Sequence, residues 1–131
     1  MLGFVRTDNV DHLVDTESLD QLIAMADDLD AKVRIAAFHA LACDRCKGDT
    51  CAPGADRVLG PALRHLAADP DPRARAMAAE LVGEFAHSHA VALAALRTSR
   101  AQDPSPAVRR KTGWFIPGGS IYERTAPHAR R

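Results

Sequence analysis

Three cysteines fall within nine residues, Cys43-Asp44-Arg45-Cys46-Lys47-Gly48-Asp49-Thr50-Cys51, and His39 stands four positions ahead of the first. The spacing H-x3-C-x2-C-x4-C offers three thiolates and one imidazole, a complete tetrahedral set for Zn²⁺. If a helix runs through Cys43, His39 and Cys43 leave the same face, because positions four apart are neighbours. Gly48 then lets the loop turn back to bring in the last thiol. Four protein ligands would close the coordination sphere, so the metal expected is a structural clip for the polar stretch 44–56, which is long for an inter-helix connection. Two other readings stay open: reduced thiols or a redox pair, and an iron–sulfur or catalytic metal site. An odd cysteine count argues against a disulfide framework. Arg45 and Lys47 favour the thiolate in every case.

A second set is Glu80, Glu84 and His87, an E-x3-E-x2-H run similar to half of a dimetal carboxylate site. Such a site needs a matching half on other helices, and a solvated acidic face is the reading we favour. Toward the C-terminus, Trp114 and Tyr122 stand among Arg109, Arg110, Lys111 and Arg124, a mixture able to stack bases and contact phosphates. Nucleic acid is therefore an option at this basic end. The sequence has neither a Gly-rich phosphate loop nor a G-x-S-x-G nucleophile elbow.

The elements that must position these residues come from a chain of 131 residues, enough for one core. Hydrophobic residues make up 47% but aromatics only 5%, and 25 residues are alanine, which points to closely packed helices. Seventeen basic and seventeen acidic side chains cancel, which argues against a wholesale binder of nucleic acid or membrane. The cancellation hides a gradient: residues 1–30 carry eight acids against Arg6 alone, and residues 97–131 carry eight bases against Asp103 and Glu123. The longest apolar run, 90–96, is far too short to cross a bilayer, and no signal-peptide pattern opens the sequence. A cytoplasmic protein without a membrane partner is expected.

Asp28-Leu29-Asp30-Ala31-Lys32-Val33-Arg34 recurs as Asp69-Pro70-Asp71-Pro72-Arg73-Ala74-Arg75 and as Asp103-Pro104-Ser105-Pro106-Ala107-Val108-Arg109. Each copy stops one helix and starts the next: proline fits a first turn, and an acid suits the positive end of the helix dipole. After each Arg an apolar pair at spacing four follows: Ala37 and Leu41, Ala78 and Val82, Thr112 and Ile116. Amphipathic runs precede each turn, namely Leu19, Leu22, Ile23 and Ala26; Val58, Leu59, Ala62, Leu63 and Leu66; Val91, Leu93, Ala94 and Leu96. Six helices are predicted, over about 17–28, 31–43, 55–68, 72–86, 89–101 and 105–115. Arg34, Arg75 and Arg109 are candidate stacking residues, each able to satisfy turn carbonyls or the Asp of a neighbouring repeat.

This pattern resembles the HEAT repeat, in particular its short bacterial form in which D-x-x-V-R opens the second helix and A-x-x-x-L lines its core face. The combination of CDRCK and GWFIPGGSIY also resembles a group of small actinobacterial HEAT-repeat proteins. The resemblance implies an all-α fold, a right-handed α-solenoid of about three helical hairpins over residues 16–116, with repeats near 16–44, 55–86 and 88–116. Residues 1–15 would be an acidic lead-in, and residues 117–131 a cap or a flexible basic tail. In such a stack second helices line the concave side, which makes His39, Glu80 and Trp114, five residues past each Arg, a candidate ridge, with Cys43 and Glu84 one turn on.

The function implied is a non-enzymatic scaffold that meets a protein partner on its concave face. The alternative is an accessory metalloenzyme or nucleic-acid-processing factor using Glu80, Glu84 and His87 or the basic end. A pocket joining His39, Glu80, Glu84 and Trp114 would favour the enzyme, and an open groove the scaffold.

Overall fold

The computed structural model describes residues 19–42 and 54–127. Seven helices, and no strand, occur among them: α1 (Leu19–Met25), α2 (Ala31–Leu41), α3 (Ala55–Ala68), α4 (Pro72–Gly83), α5 (Ala90–Gln102), α6 (Pro106–Gly113) and α7 (Ser120–Thr125). Six lie within a few residues of their predicted spans. The main packing pairs run α1 on α2, α3 on α4 and α5 on α6, with α1, α3 and α5 forming one row and α2, α4 and α6 the other. This order is that of an all-helical repeat solenoid in which each hairpin leans on the next.

Helix starts are set by the repeated turn. Asp30 accepts the Lys32 N–H at 2.9 Å, Asp71 the Arg73 N–H at 2.8 Å, and Ser105 the Val108 N–H at 3.4 Å. These caps satisfy donors that a helix cannot pair internally. Pro72 and Pro106 take first-turn positions, where a missing N–H costs nothing.

One core runs along the stack, through Leu22, Phe38, Val58, Leu66, Leu81, Val82 and Leu96. The predicted pairs Ala37 and Leu41, and Ala78 and Val82, are buried, as is Thr112. On α5 Leu96 is buried as expected, but Val91 is 54% exposed and Ala94 is exposed too, and Ala92 and Ser99 turn inward in their place. A small and a polar side chain carry little apolar signal, so Ala92 and Ser99 did not stand out in the sequence.

Two further departures follow from glycines. The second helix of the middle hairpin was expected to reach residue 86 but ends at Gly83, where an added Cβ would come within 2.3 Å of the Phe115 ring. Beyond it, N–H groups of Glu84, Phe85 and Ala86 bond three residues back, a tighter winding than the α-helix. In the C-terminal segment, Gly118 takes φ +93° and Gly119 presses against the Gly113 carbonyl and Trp114 backbone, with no room for a side chain. The chain thereby folds back, and the Trp114 carbonyl accepts the N–H groups of Ile121 and Tyr122 at 3.1 and 2.9 Å. The segment expected as a cap or flexible tail thus contains a short helix docked on the last repeat.

Candidate functional site

The repeated turns carry the most developed chemistry in the molecule. Arg34 Nε and Nη2 each donate to Asp69 at 2.8 Å, while its Nη1 donates to the carbonyls of Asp28 and Leu29. Arg75 repeats the arrangement one hairpin on: Nε and Nη2 bond Asp103 at 2.8 and 3.1 Å, and Nη1 bonds the Asp69 carbonyl at 2.8 Å. Each Arg therefore grips its own turn with one nitrogen and the following repeat's aspartate with the other two. The planar guanidinium suits this double task, and the fork-to-carboxylate pairing is the strong kind. Arg109 makes the first half of the contact, Nη1 to the Asp103 carbonyl at 2.6 Å.

Each ladder aspartate also closes its own turn. Asp28, Asp69 and Asp103 accept the N–H two residues ahead at 2.8, 2.9 and 2.8 Å. Burial pushes the Asp69 carboxyl up, but the Arg34 fork, the Asp71 N–H and His65 outweigh it and hold the group below the usual carboxylate range. The bond from Asp69 in turn raises Arg34. At the exposed edge, bonds from the Arg73 side chain and backbone draw Asp71 down to about 2.

Sequence reasoning missed a second seam, between α1 and α3. Arg57 bonds Asp20, Arg64 bonds Asp27 at 2.9 Å, and His65 Nε2 lies 2.6 Å from Asp27 while its Nδ1 lies 2.7 Å from Asp69. The Arg64 bond is the main cause that lowers the Asp27 carboxyl. His65 also meets Phe38 edge-on at 5.2 Å between ring centroids, so it ties the polar seam to the core. The signal was present as a constant offset: both arginines sit 37 residues after their aspartates.

The candidate ridge residues do not converge. His39 is exposed and lines a groove between α2 and α4 with Lys32, Ile35, Ala36, Arg73, Ala76 and Met77. Glu80 pairs with Lys111 at 2.6 Å and, with Glu84 and His87, borders a separate cavity of about 420 Å³. Because α4 stops at Gly83, Glu84 is its C-cap and His87 lies in the turn beyond, so the three are not on one helix as the spacing suggested. His87 instead serves α7: its ring lies 4.0 Å from that of Tyr122, and Nε2 is 3.0 Å from the Tyr122 carbonyl. Trp114, 42% exposed, borders a third depression with Arg100, Arg109 and Arg110.

Among the described residues no group of three or more His, Cys, Asp or Glu is placed to hold a metal ion. Cys43, Cys46 and Cys51 lie outside those residues, and α2 ends at Leu41, before the first of them. No helix of the described residues is long and apolar enough to cross a membrane.

Comparison with curated proteins and with solved structures returned no match. Comparison with family models gave one region, residues 59–89, which matches the model described as HEAT repeat. The matched span begins within α3, crosses the Asp69–Arg75 turn and all of α4, and ends at His89 before α5. The matched hairpin, similar to a HEAT repeat, is the one that carries both a ladder acceptor and a ladder donor.

Proposed function

We propose that this protein is a non-enzymatic interaction module whose protein partner lies along the α2–α4–α6 ridge, the side expected to be concave. The observation that carries the reading is that no pocket among the described residues joins His39, Glu80, Glu84 and Trp114: His39 borders one depression, Glu80, Glu84 and His87 a second, and Trp114 a third. Catalysis needs groups that converge on one reacting centre, whereas recognition is served by spaced anchors. The groove beside His39 supports the same reading, with Ile35, Ala36, Ala76 and Met77 between the basic side chains Lys32 and Arg73. HEAT repeats in general mediate protein–protein contacts, in keeping with an extended stacked surface. For the segment 39–51 we propose a structural zinc clip, on the strength of the H-x3-C-x2-C-x4-C spacing.

Photo-cross-linking in cells tests the module. Benzoylphenylalanine replacing exposed Lys32 or Arg73 should give a discrete protein adduct, and the same probe at exposed Arg97, on α5, should not. Equal labelling from both rows, or none from the ridge, overturns the reading.

A further inference from the structure

The arginine ladder stops with half a contact. In Arg34 and Arg75 the Nε/Nη2 edge receives the carboxylate of the following repeat, at 2.8 to 3.1 Å. Arg109 holds its own turn in the same way, through Nη1 to the Asp103 carbonyl. Its Nε/Nη2 edge has no carboxylate partner among the described residues. Arg109 also lines an open depression of about 720 Å³, together with Arg100, Arg110, Trp114 and the Pro117–Gly119 turn.

We propose that this depression is a receptor site for an acidic peptide segment of a partner protein, with an Asp or Glu carboxylate completing the Arg109 fork. The inference rests on the interaction-module reading and names the chemistry of one anchor. Four lines support it. The molecule supplies its own template twice, and in both cases the group that fits the edge is a planar carboxylate. Three arginines and no acidic side chain line the depression, and the nearby Glu123 carboxylate is engaged by the Gly118 N–H at 2.9 Å; an acidic ligand relieves the repulsion among the arginines. Gly113 also clears the path of Arg100, since a Cβ there would sit 3.0 Å from Arg100 Nε and 3.3 Å from Cδ. Arg100 thereby lies across the end of α6 toward the same space. Trp114 adds a half-exposed ring, the type of side chain that anchors recognition sites. A guanidinium fork can also grip a phosphate; what favours a carboxylate is that both complete rungs of this molecule hold one.

Fluorescence anisotropy with a labelled glutamate-rich peptide tests the site, beside its glutamine counterpart and a labelled oligothymidylate. The glutamate peptide should bind the intact chain, weaken with added salt, and exceed the glutamine peptide. Arg109→Lys keeps the charge and loses the fork, and should weaken binding about tenfold. Arg100→Gln, outside the ladder, should weaken it too, and keeps the test valid if the Arg109 variant folds poorly. Equal binding of the two peptides, unchanged affinity in Arg100→Gln and a folded Arg109→Lys, or tighter binding of oligothymidylate overturns the proposal. So does concentration-dependent self-association abolished by Asp28→Asn, which would assign the fork to a second copy. Ridge cross-links with no peptide binding would sink this site and leave the module reading standing.

Discussion

Arg34 and Asp69 are 35 residues apart in the chain and meet through two N–H···O bonds of 2.8 Å. The Asp69 side chain is fully buried and that of Arg34 nearly so, which makes the pair the firmest tie between the first two hairpins. Asp69→Asn preserves size but leaves the buried guanidinium without its counter-charge. Urea unfolding should show a loss of about 3–5 kcal/mol, the usual result of removing one member of a buried pair. A loss below about 1 kcal/mol would mean that the contact is dispensable.

Place in the ladder should set the value of each arginine. Arg75 grips turns on both sides, Arg109 only its own, and Lys32 is exposed. Arg75→Met should therefore destabilise by several kcal/mol, Arg109→Met by about 0.5–1.5, and Lys32→Ala by no more than about 0.5. Equal melting temperatures for the three variants would reduce the arginines to solvated charge.

Acid should loosen the stack from the same seam. Asp69 and Asp27 are held below their ordinary values, so each binds protons less readily folded than unfolded. Their contribution is complete above the unfolded value of about 3.9 and is lost as pH falls through the lower, folded values. Thermal stability should drop below about pH 4, with a smaller drop in Asp69→Asn, where one of the titrating groups is gone. Curves of equal steepness in both proteins would contradict this assignment.

Native mass spectrometry of protein purified without chelator addresses the zinc clip. One Zn²⁺ per chain is expected, with sulfur at about 2.3 Å by X-ray absorption, and Cys46→Ser should release it. A metal-free chain whose melting is indifferent to added zinc leaves three reduced cysteines.

The ladder was legible because its two halves repeat inside one short segment: an aspartate and, six residues on, an arginine, at Asp28, Asp69 and Asp103. The α1–α3 seam was harder to see because no local motif links Asp27 to Arg64 or His65; only the helix pairing brings them together. Close approach was invisible as well. Nothing in apolar periodicity announces that Phe115 will occupy the space a side chain at Gly83 would need, or that α4 ends there, leaving Glu84 as its C-cap and His87 beyond it. The short α7 escaped notice because Pro117-Gly118-Gly119 reads as a stop, although the positive φ at Gly118 is what folds the chain back. The residues of the basic depression were partly legible: Arg109, Arg110 and Trp114 stood out as a cluster, and Arg100, one helix earlier, did not.

The two complete rungs of the ladder span different lengths of chain, 35 residues from Arg34 to Asp69 and 28 from Arg75 to Asp103. The fork geometry is nearly the same in both, so the extra seven residues do not change how the rungs are joined. Hairpin is thus registered on hairpin by the side-chain fork rather than by the length of chain between donor and acceptor.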